Sequence, residues 1–186
     1  MALSVAAYTG RTEAYLAEHG AKMSAEVTRF AAALPRPSLV LDVGCGPGRD
    51  LARFAGYGHV VRGVELNAEF AAAAARHAPV VRADLREIGG LFPAGVVDGI
   101  WACAALVHLG EREARDVLAQ FARLLRPGGR LYACVPVTGE TGWWDEPDGR
   151  RYYTVWADFG TAVAEAGFTV DEVVRGPFAE VWAHRP

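Results

Sequence analysis

Gly44, Gly46 and Gly48 stand at alternate positions directly after the aliphatic run Leu39-Val40-Leu41-Asp42-Val43. Glycine at 44 and 46 permits positive φ and removes the Cβ atoms, so a ligand can lie against bare backbone, while the N–H groups opening the next helix offer donors. Phosphates, dinucleotides and other adenosine-bearing ligands all use such a loop. Glu65 follows roughly 20 residues later at the end of a second β-rich run, where a carboxylate can accept from both hydroxyls of a ribose. A Gly-x-Gly-x-x-Gly dinucleotide fingerprint would need glycine at position 49, and Arg49 stands there, which demotes the nicotinamide reading. The histidines show no paired i, i+4 spacing, and Cys45, Cys103 and Cys134 lack a C-x-x-C arrangement. No metal site is therefore expected, and the thiols read as free and buried.

These residues need elements to position them. Tyr8, Thr12, Tyr15 and His19 repeat at helical spacing, and a second helix is expected over 21–34, ended by Pro35 and Pro37. From Ser38 onward strand and helix patterns alternate with short connections, which predicts a parallel sheet covered on both faces. Strands are expected over 39–43, 59–65, 80–82, 96–101 and 130–136. Helices are expected over 48–55, from Asn67 to about 77, and over 111–125, where Ala114, Val117, Leu118 and Phe121 share one face. Arg126-Pro127-Gly128-Gly129 reads as the stop of that last helix. A helix over 155–166 and strands over 168–174 and 179–184 complete the chain. Residues 137–153 mix glycine with Trp143, Trp144, Tyr152 and Tyr153 and the charges Asp145, Glu146, Arg150 and Arg151, and read as a lid over a substrate.

The run Asp42-Val43-Gly44-Cys45-Gly46-Pro47-Gly48-Arg49-Asp50 resembles the first motif of class I S-adenosylmethionine-dependent methyltransferases, in particular the small-molecule type 11/25-like group. Ala102-Cys103 through His108-Leu109 resembles the fourth motif, and Leu-Leu-Arg-Pro-Gly-Gly-Arg-Leu over 124–131 is a further structural likeness. The resemblance implies a doubly wound, Rossmann-like α/β fold: a seven-stranded sheet ending in an antiparallel hairpin, with N-terminal covering helices. It implies one domain over 1–186, with a helical cover over 1–37 and the lid over 137–153. The implied cofactor is S-adenosylmethionine, held by Asp42, Gly44, Cys45 and Gly46 of the loop, with Glu65 on the ribose and Leu66 on the adenine. Asp84 would read the adenine amino group with Leu85 beside the ring, and Ala102 and Cys103 would meet the methionine part. Tyr15 of the cover is carried over as an aromatic on the cofactor, packing within the core being its other reading. His108 is the candidate base, capping of the next helix being the alternative. Trp143, Trp144, Arg150 and Tyr152 are the candidate substrate contacts.

Composition sets limits on partners. A net charge of −3 over 186 residues, with basic side chains scattered, gives no footprint for a phosphate backbone, so nucleic acid is not expected as a partner. No apolar run reaches the ~20 residues of a membrane span, and a cytoplasmic monomer or homodimer is expected. The expected activity is methyl transfer to a small molecule. A non-catalytic S-adenosylmethionine-binding module and an NAD-dependent oxidoreductase are the rival readings.

Overall fold

The computed structural model describes residues 2–146 and 149–186. Met1 of the expected cover and Pro147 and Asp148 of the expected lid lie outside the described residues. In chain order the elements are α1 (Ala2–Ala6), α2 (Thr12–His19), α3 (Ser24–Ala32), β1 (Leu39–Val43), α4 (Arg49–Gly56), β2 (Val60–Glu65), α5 (Ala68–Ala74) and β3 (Val80–Arg82). A 3₁₀ turn at Leu85–Glu87 leads into α6 (Ile88–Leu91), then β4 (Val97–Cys103), a second 3₁₀ turn at Leu106–His108 and α7 (Glu111–Leu124). The chain ends with β5 (Leu125–Pro136), β6 (Gly142–Glu146), β7 (Gly149–Tyr153), α8 (Phe159–Glu165), β8 (Thr169–Arg175) and β9 (Phe178–His184).

Seven strands form one sheet in the order β3-β2-β1-β4-β5-β9-β8. The first five run parallel, and β9 runs antiparallel to both β5 and β8. Side chains alternate across the pleat, and the buried residues sort accordingly. Leu41, Val43, Ile100, Leu131 and Ala133 face α6, α7 and α8 through Ile88, Phe121 and Val163. Val40, Val61, Trp101, Tyr132 and Trp182 face α3 and α4 through Phe30, Leu51 and Phe54. Trp101 lies flat on Tyr132, with ring centroids 4.0 Å apart.

Chain order reverses between β1 and β4, so the crevice beyond their carboxyl ends is the place a doubly wound sheet offers a ligand. The chain bends into that crevice at Gly44 and Gly46, with φ of +66° and +55°. Gly48 adopts φ +95°, and a Cβ there would come within 2.8 Å of the Ala74 Cα, so its absence lets α4 and α5 meet.

Four expectations are corrected. Residues 142–146 and 149–153, expected to lie in a loop, form the paired strands β6 and β7 from Gly142↔Tyr153 to Glu146↔Gly149, with aromatic residues paired across them as Trp143↔Tyr152. Arg126–Gly129 does not separate helix from strand. Leu125 already pairs with Val97, and the four residues bulge out, with Gly128 at φ +74°, before Arg130 pairs with Gly99. The helix expected over 155–166 begins only at Phe159, since Asp158 caps it by accepting from the Thr161 N–H at 3.1 Å. The N-terminal cover consists of three short helices in place of two, and a turn at Tyr8–Gly10 interrupts the helical spacing.

Candidate active site

At the carboxyl ends of β1, β2 and β4 lies a cavity of about 480 Å³. The glycine loop forms one wall, where Gly44 and Cys45 donate N–H groups to the Val64 carbonyl at 2.8 and 3.2 Å. The loop is thereby tied to the end of β2. Glu65 follows directly, and its carboxylate is held by backbone donors: the Gly46 N–H reaches Oε2 at 2.9 Å and the Asn67 N–H reaches Oε1 at 2.7 Å. Each oxygen retains a lone pair for a ligand hydroxyl. Burial pushes the Glu65 carboxyl above its usual range, opposed by those backbone donors.

Asp42 sits at the bottom of the same cavity. Its Oδ2 is buried without a hydrogen-bond partner, and burial, followed by the charge of Asp50, drives its carboxyl well upward. A buried acceptor lacking a partner is costly and marks a place where a donor belongs. Asp50 is the contrasting case. It accepts from Arg49 Nε at 2.9 Å, from Arg53 Nη1 at 3.0 Å and from Trp101 Nε1 at 3.0 Å.

The same two arginines hold the cover. Arg49 Nη1 donates to the His19 carbonyl at 3.1 Å, and Arg53 donates to the carbonyls of Gly20 and Lys22, each at 2.6 Å. These carbonyls lie at and just beyond the C-terminus of α2, where backbone acceptors lack helical partners. Tyr15 is thus carried over the glycine loop, its Cε1 3.7 Å from where a Gly46 Cβ would stand and its ring 5.2 Å from that of Phe70. Burial pushes the Tyr15 hydroxyl up to about 12.

His108 also lines the cavity. Its Nδ1 lies 2.9 Å from the Tyr152 carbonyl, which only accepts, so Nδ1 carries the proton. In the neutral ring Nε2 is then the acceptor, and it lies 3.3 Å from the Tyr8 hydroxyl. Burial lowers the imidazole below its usual range, and Arg151 contributes in the same direction against the Tyr152 carbonyl. The ring is consequently neutral and oriented as a base is required to be.

The structure brings Tyr15, Asp42, Gly44, Cys45 and Gly46 together with Glu65, Leu66, Leu85, Cys103 and His108 around this cavity. It does not bring Asp84 there. Burial disfavours the charge on Asp84, but Arg86 overcomes this by donating to it through its backbone N–H at 2.9 Å and its guanidinium at 2.6 Å. Ala102 faces the α7 side of the sheet, since strand alternation gives the cavity side to Cys103. On β7 the same alternation separates Arg150 and Tyr152 from Arg151 and Tyr153. Tyr153 lines the cavity, and the Arg151 guanidinium lies 4.4 Å from the centre of the Tyr8 ring. Arg150 is exposed beside Trp143, and Tyr152 reaches the site only through its backbone carbonyl. Trp143 and Trp144 are exposed and form no part of the cavity wall.

Sequence reasoning did not single out Phe70 or Tyr132 as cavity walls, placed Tyr153 only within the lid, and preferred Tyr15 to Tyr8 as the aromatic on the cofactor. Phe70 carried a usable signal as the one large side chain in an alanine-rich helix. Among the described residues no cluster of histidine, cysteine or carboxylate side chains is placed to hold a metal, and no helix is long and apolar enough to cross a membrane.

A glycine loop at a topological switch point, with an acid at the end of the adjacent strand, defines an α/β protein built for a nucleoside-bearing cofactor. Residues 40–129 match a family described as a methyltransferase domain. Over 99% of this chain and 88% of the other, the fold superposes with a TM-score of 0.78 and 26% identity on 1,6-didemethyltoxoflavin-N1-methyltransferase of Burkholderia thailandensis, crystallised with 1,6-didemethyltoxoflavin and S-adenosylhomocysteine. Magnesium protoporphyrin IX methyltransferase of Synechocystis, crystallised with S-adenosylmethionine, shares the fold at a TM-score of 0.69 and 20% identity, over 91% of this chain and 81% of that one. An O-methyltransferase of Penicillium expansum is 30% identical over 159 residues, 72% of this chain and 53% of that protein. An uncharacterised protein from a Streptomyces fradiae transposon is 35% identical over 111 residues, 55% of this chain and 30% of that protein. The chain thus spans about half or less of the length of these curated relatives. Its sequence over residues 40–129 and its fold are thus similar to those of S-adenosylmethionine-dependent methyltransferases, relatives crystallised with S-adenosylmethionine or S-adenosylhomocysteine.

Proposed function

We propose that this chain transfers the methyl group of S-adenosylmethionine to a small, ring-bearing acceptor, with His108 as the base. The observation that carries the reading is the fixed His108 ring, its Nδ1–H engaged by the Tyr152 carbonyl and its Nε2 directed to the Tyr8 hydroxyl, in the same cavity that Glu65 lines. Relatives named as an O-methyltransferase and as an N1-methyltransferase support an oxygen or nitrogen acceptor of modest size.

The residues present fit the cofactor. Glu65 would accept from the ribose hydroxyls, and the partnerless Oδ2 of Asp42 would take a donor from the amino-acid portion. Leu66, Leu85 and Phe70 supply apolar walls for the base, and Tyr15 covers the loop. When bound, S-adenosylmethionine supplies a methyl carbon already activated by its sulfonium. The protein's part is then mainly alignment, which in well-oriented systems is equivalent to reactant concentrations of ~10⁵ M or more. Tyr8 and Tyr153 flank His108, with ring centroids 6.0 and 5.2 Å from the imidazole, and would sandwich a flat acceptor. Nε2 would exchange the Tyr8 hydroxyl for the acceptor's O–H or N–H and hold its proton as methyl transfer proceeds. The β6–β7 hairpin would close the cavity beside His108 through Tyr153 and Arg151.

Calorimetric titration with S-adenosylmethionine, S-adenosylhomocysteine and NAD tests the cofactor, the first two being expected to bind and the third not. A panel of phenols and nitrogen heterocycles, read out as S-adenosylhomocysteine formed, then tests the acceptor. In His108→Gln, turnover of any accepted compound is expected to fall ~10²-fold or more with cofactor affinity unchanged. Retained turnover would remove His108 as the base, and binding without any turnover would favour the non-catalytic module.

A further inference from the structure

Cys103 ends β4 and Cys134 lies in β5, and the two are register partners on adjacent parallel strands. Such partners project from the same face of a sheet, here the face that lines the cavity. Both are free thiols, and their Sγ atoms stand 3.8 Å apart. Neighbouring strands lie ~4.8 Å apart, inside the ~4.4–6.8 Å that a disulfide spans between Cα atoms. Bridging this pair therefore requires the sulfurs to approach to ~2.04 Å without separating or shifting the strands.

We propose that Cys103 and Cys134 are an oxidative modification site: hydrogen peroxide entering the cavity converts them to an intrachain disulfide that staples β4 to β5 beneath the ligand. The surroundings assign the two sulfurs different parts. The Ala104 N–H donates to Cys134 Sγ at 3.3 Å, and the two sulfurs lie within hydrogen-bond reach of each other at 3.8 Å. Arg49 Nη2 stands 3.9 Å from Cys103 Sγ and is itself ion-paired with Asp50 at 2.6 Å, whose charge acts on Cys103 against it. The Cys103 thiol and then the Ala104 N–H hold Cys134 below its usual range against burial, whereas Cys103 is raised. Thiolate character of this kind governs which cysteine reacts.

The steps balance. Cys134 thiolate attacks one peroxide oxygen, an S–O bond forms as the O–O bond breaks, and the departing hydroxide leaves as water with the proton Cys134 released. The Cys103 sulfur then attacks the sulfenic sulfur, an S–S bond forms as the S–O bond breaks, and the second hydroxide leaves as water with the Cys103 proton. The two thiols lose a pair of electrons and the peroxide gains it.

Cys45 is an internal control. It is buried in the glycine loop, its sulfur has the Gly46 carbonyl as partner at 3.7 Å, and burial pushes its thiol up. The test treats the wild-type chain with hydrogen peroxide, alkylates the remaining thiols and maps peptides without reduction. The expected result is a Cys103–Cys134 cross-linked pair lighter by two hydrogens, restored to thiols by dithiothreitol, with Cys45 alkylated throughout. Cys103→Ser should abolish the cross-link and carry Cys134 to the sulfinic acid. Undiminished alkylation of both cysteines in the wild type would overturn the proposal. So would separate over-oxidised cysteines without a cross-link, or cross-links to Cys45 in equal yield. Because the wild-type map alone decides, a variant that fails to fold leaves the test intact.

Discussion

At the scale of single residues, environment sets the charge state of the site. Glu65 is buried but held by two backbone N–H groups, an arrangement prepared for an accepting role. Glu65→Ala removes both of the ribose contacts proposed for it while leaving the loop glycines in place. S-adenosylhomocysteine affinity is expected to fall ~10²–10⁴-fold, since two hydrogen bonds to a charged group contribute about 1.5–3 kcal/mol each, and calorimetry measures it. His108 makes the pH dependence specific. Its folded-state pKa is lowered, so the native protein binds fewer protons than the unfolded chain as pH falls through the ordinary histidine value of 6.5. Stability attributable to His108 is therefore complete above that value and is lost progressively as pH falls through it. The same shift keeps the imidazole neutral, so the acid limb of kcat/KM should lie below 6.5 in the wild type and be absent from any residual activity of His108→Gln. The glycine loop and Glu65 were legible in the sequence because their backbone geometry demands particular residue types. Asp84 was not, because the adjacent Arg86 that captures its carboxylate in space carries no mark in a one-dimensional pattern.

At the scale of elements, strand alternation decides which of two neighbours serves the site. The parallel strands and α7 were read correctly, since apolar runs and helical spacing reflect burial directly. The β6–β7 hairpin was not, because its cross-strand pairs depend on a register that composition does not specify, and so composition alone could not choose between Arg150 and Arg151, of which the fold delivers Arg151. Ala102 and Cys103 show the same effect on β4. The cover depends on a few side chains from α4 and α5. Asn67 caps α5, accepting from the N–H groups of Glu69 and Phe70 at 3.0 Å each, and also donates to the Val5 carbonyl at 3.2 Å. Asn67→Ala is expected to cost about 1 kcal/mol in chemical denaturation. Arg53→Leu removes the donors that hold the carbonyls of Gly20 and Lys22. Amide exchange should then accelerate across α2 and α3 while the rates in β1, β4 and β5 remain those of the wild type.

At the scale of the whole molecule, the site draws on both ends of the chain and the middle of the sheet, so occupancy and global stability are linked. S-adenosylhomocysteine at 100 times its dissociation constant should raise unfolding free energy by about 2.7 kcal/mol, and thermal denaturation with and without ligand reads the shift. NAD at the same concentration should produce none. The hydrogen bond from the Tyr152 N–H to Ser4 Oγ joins residues 148 positions apart. During chain growth α1 is made long before the strand that receives it, so this contact forms only once Tyr152 has been synthesised.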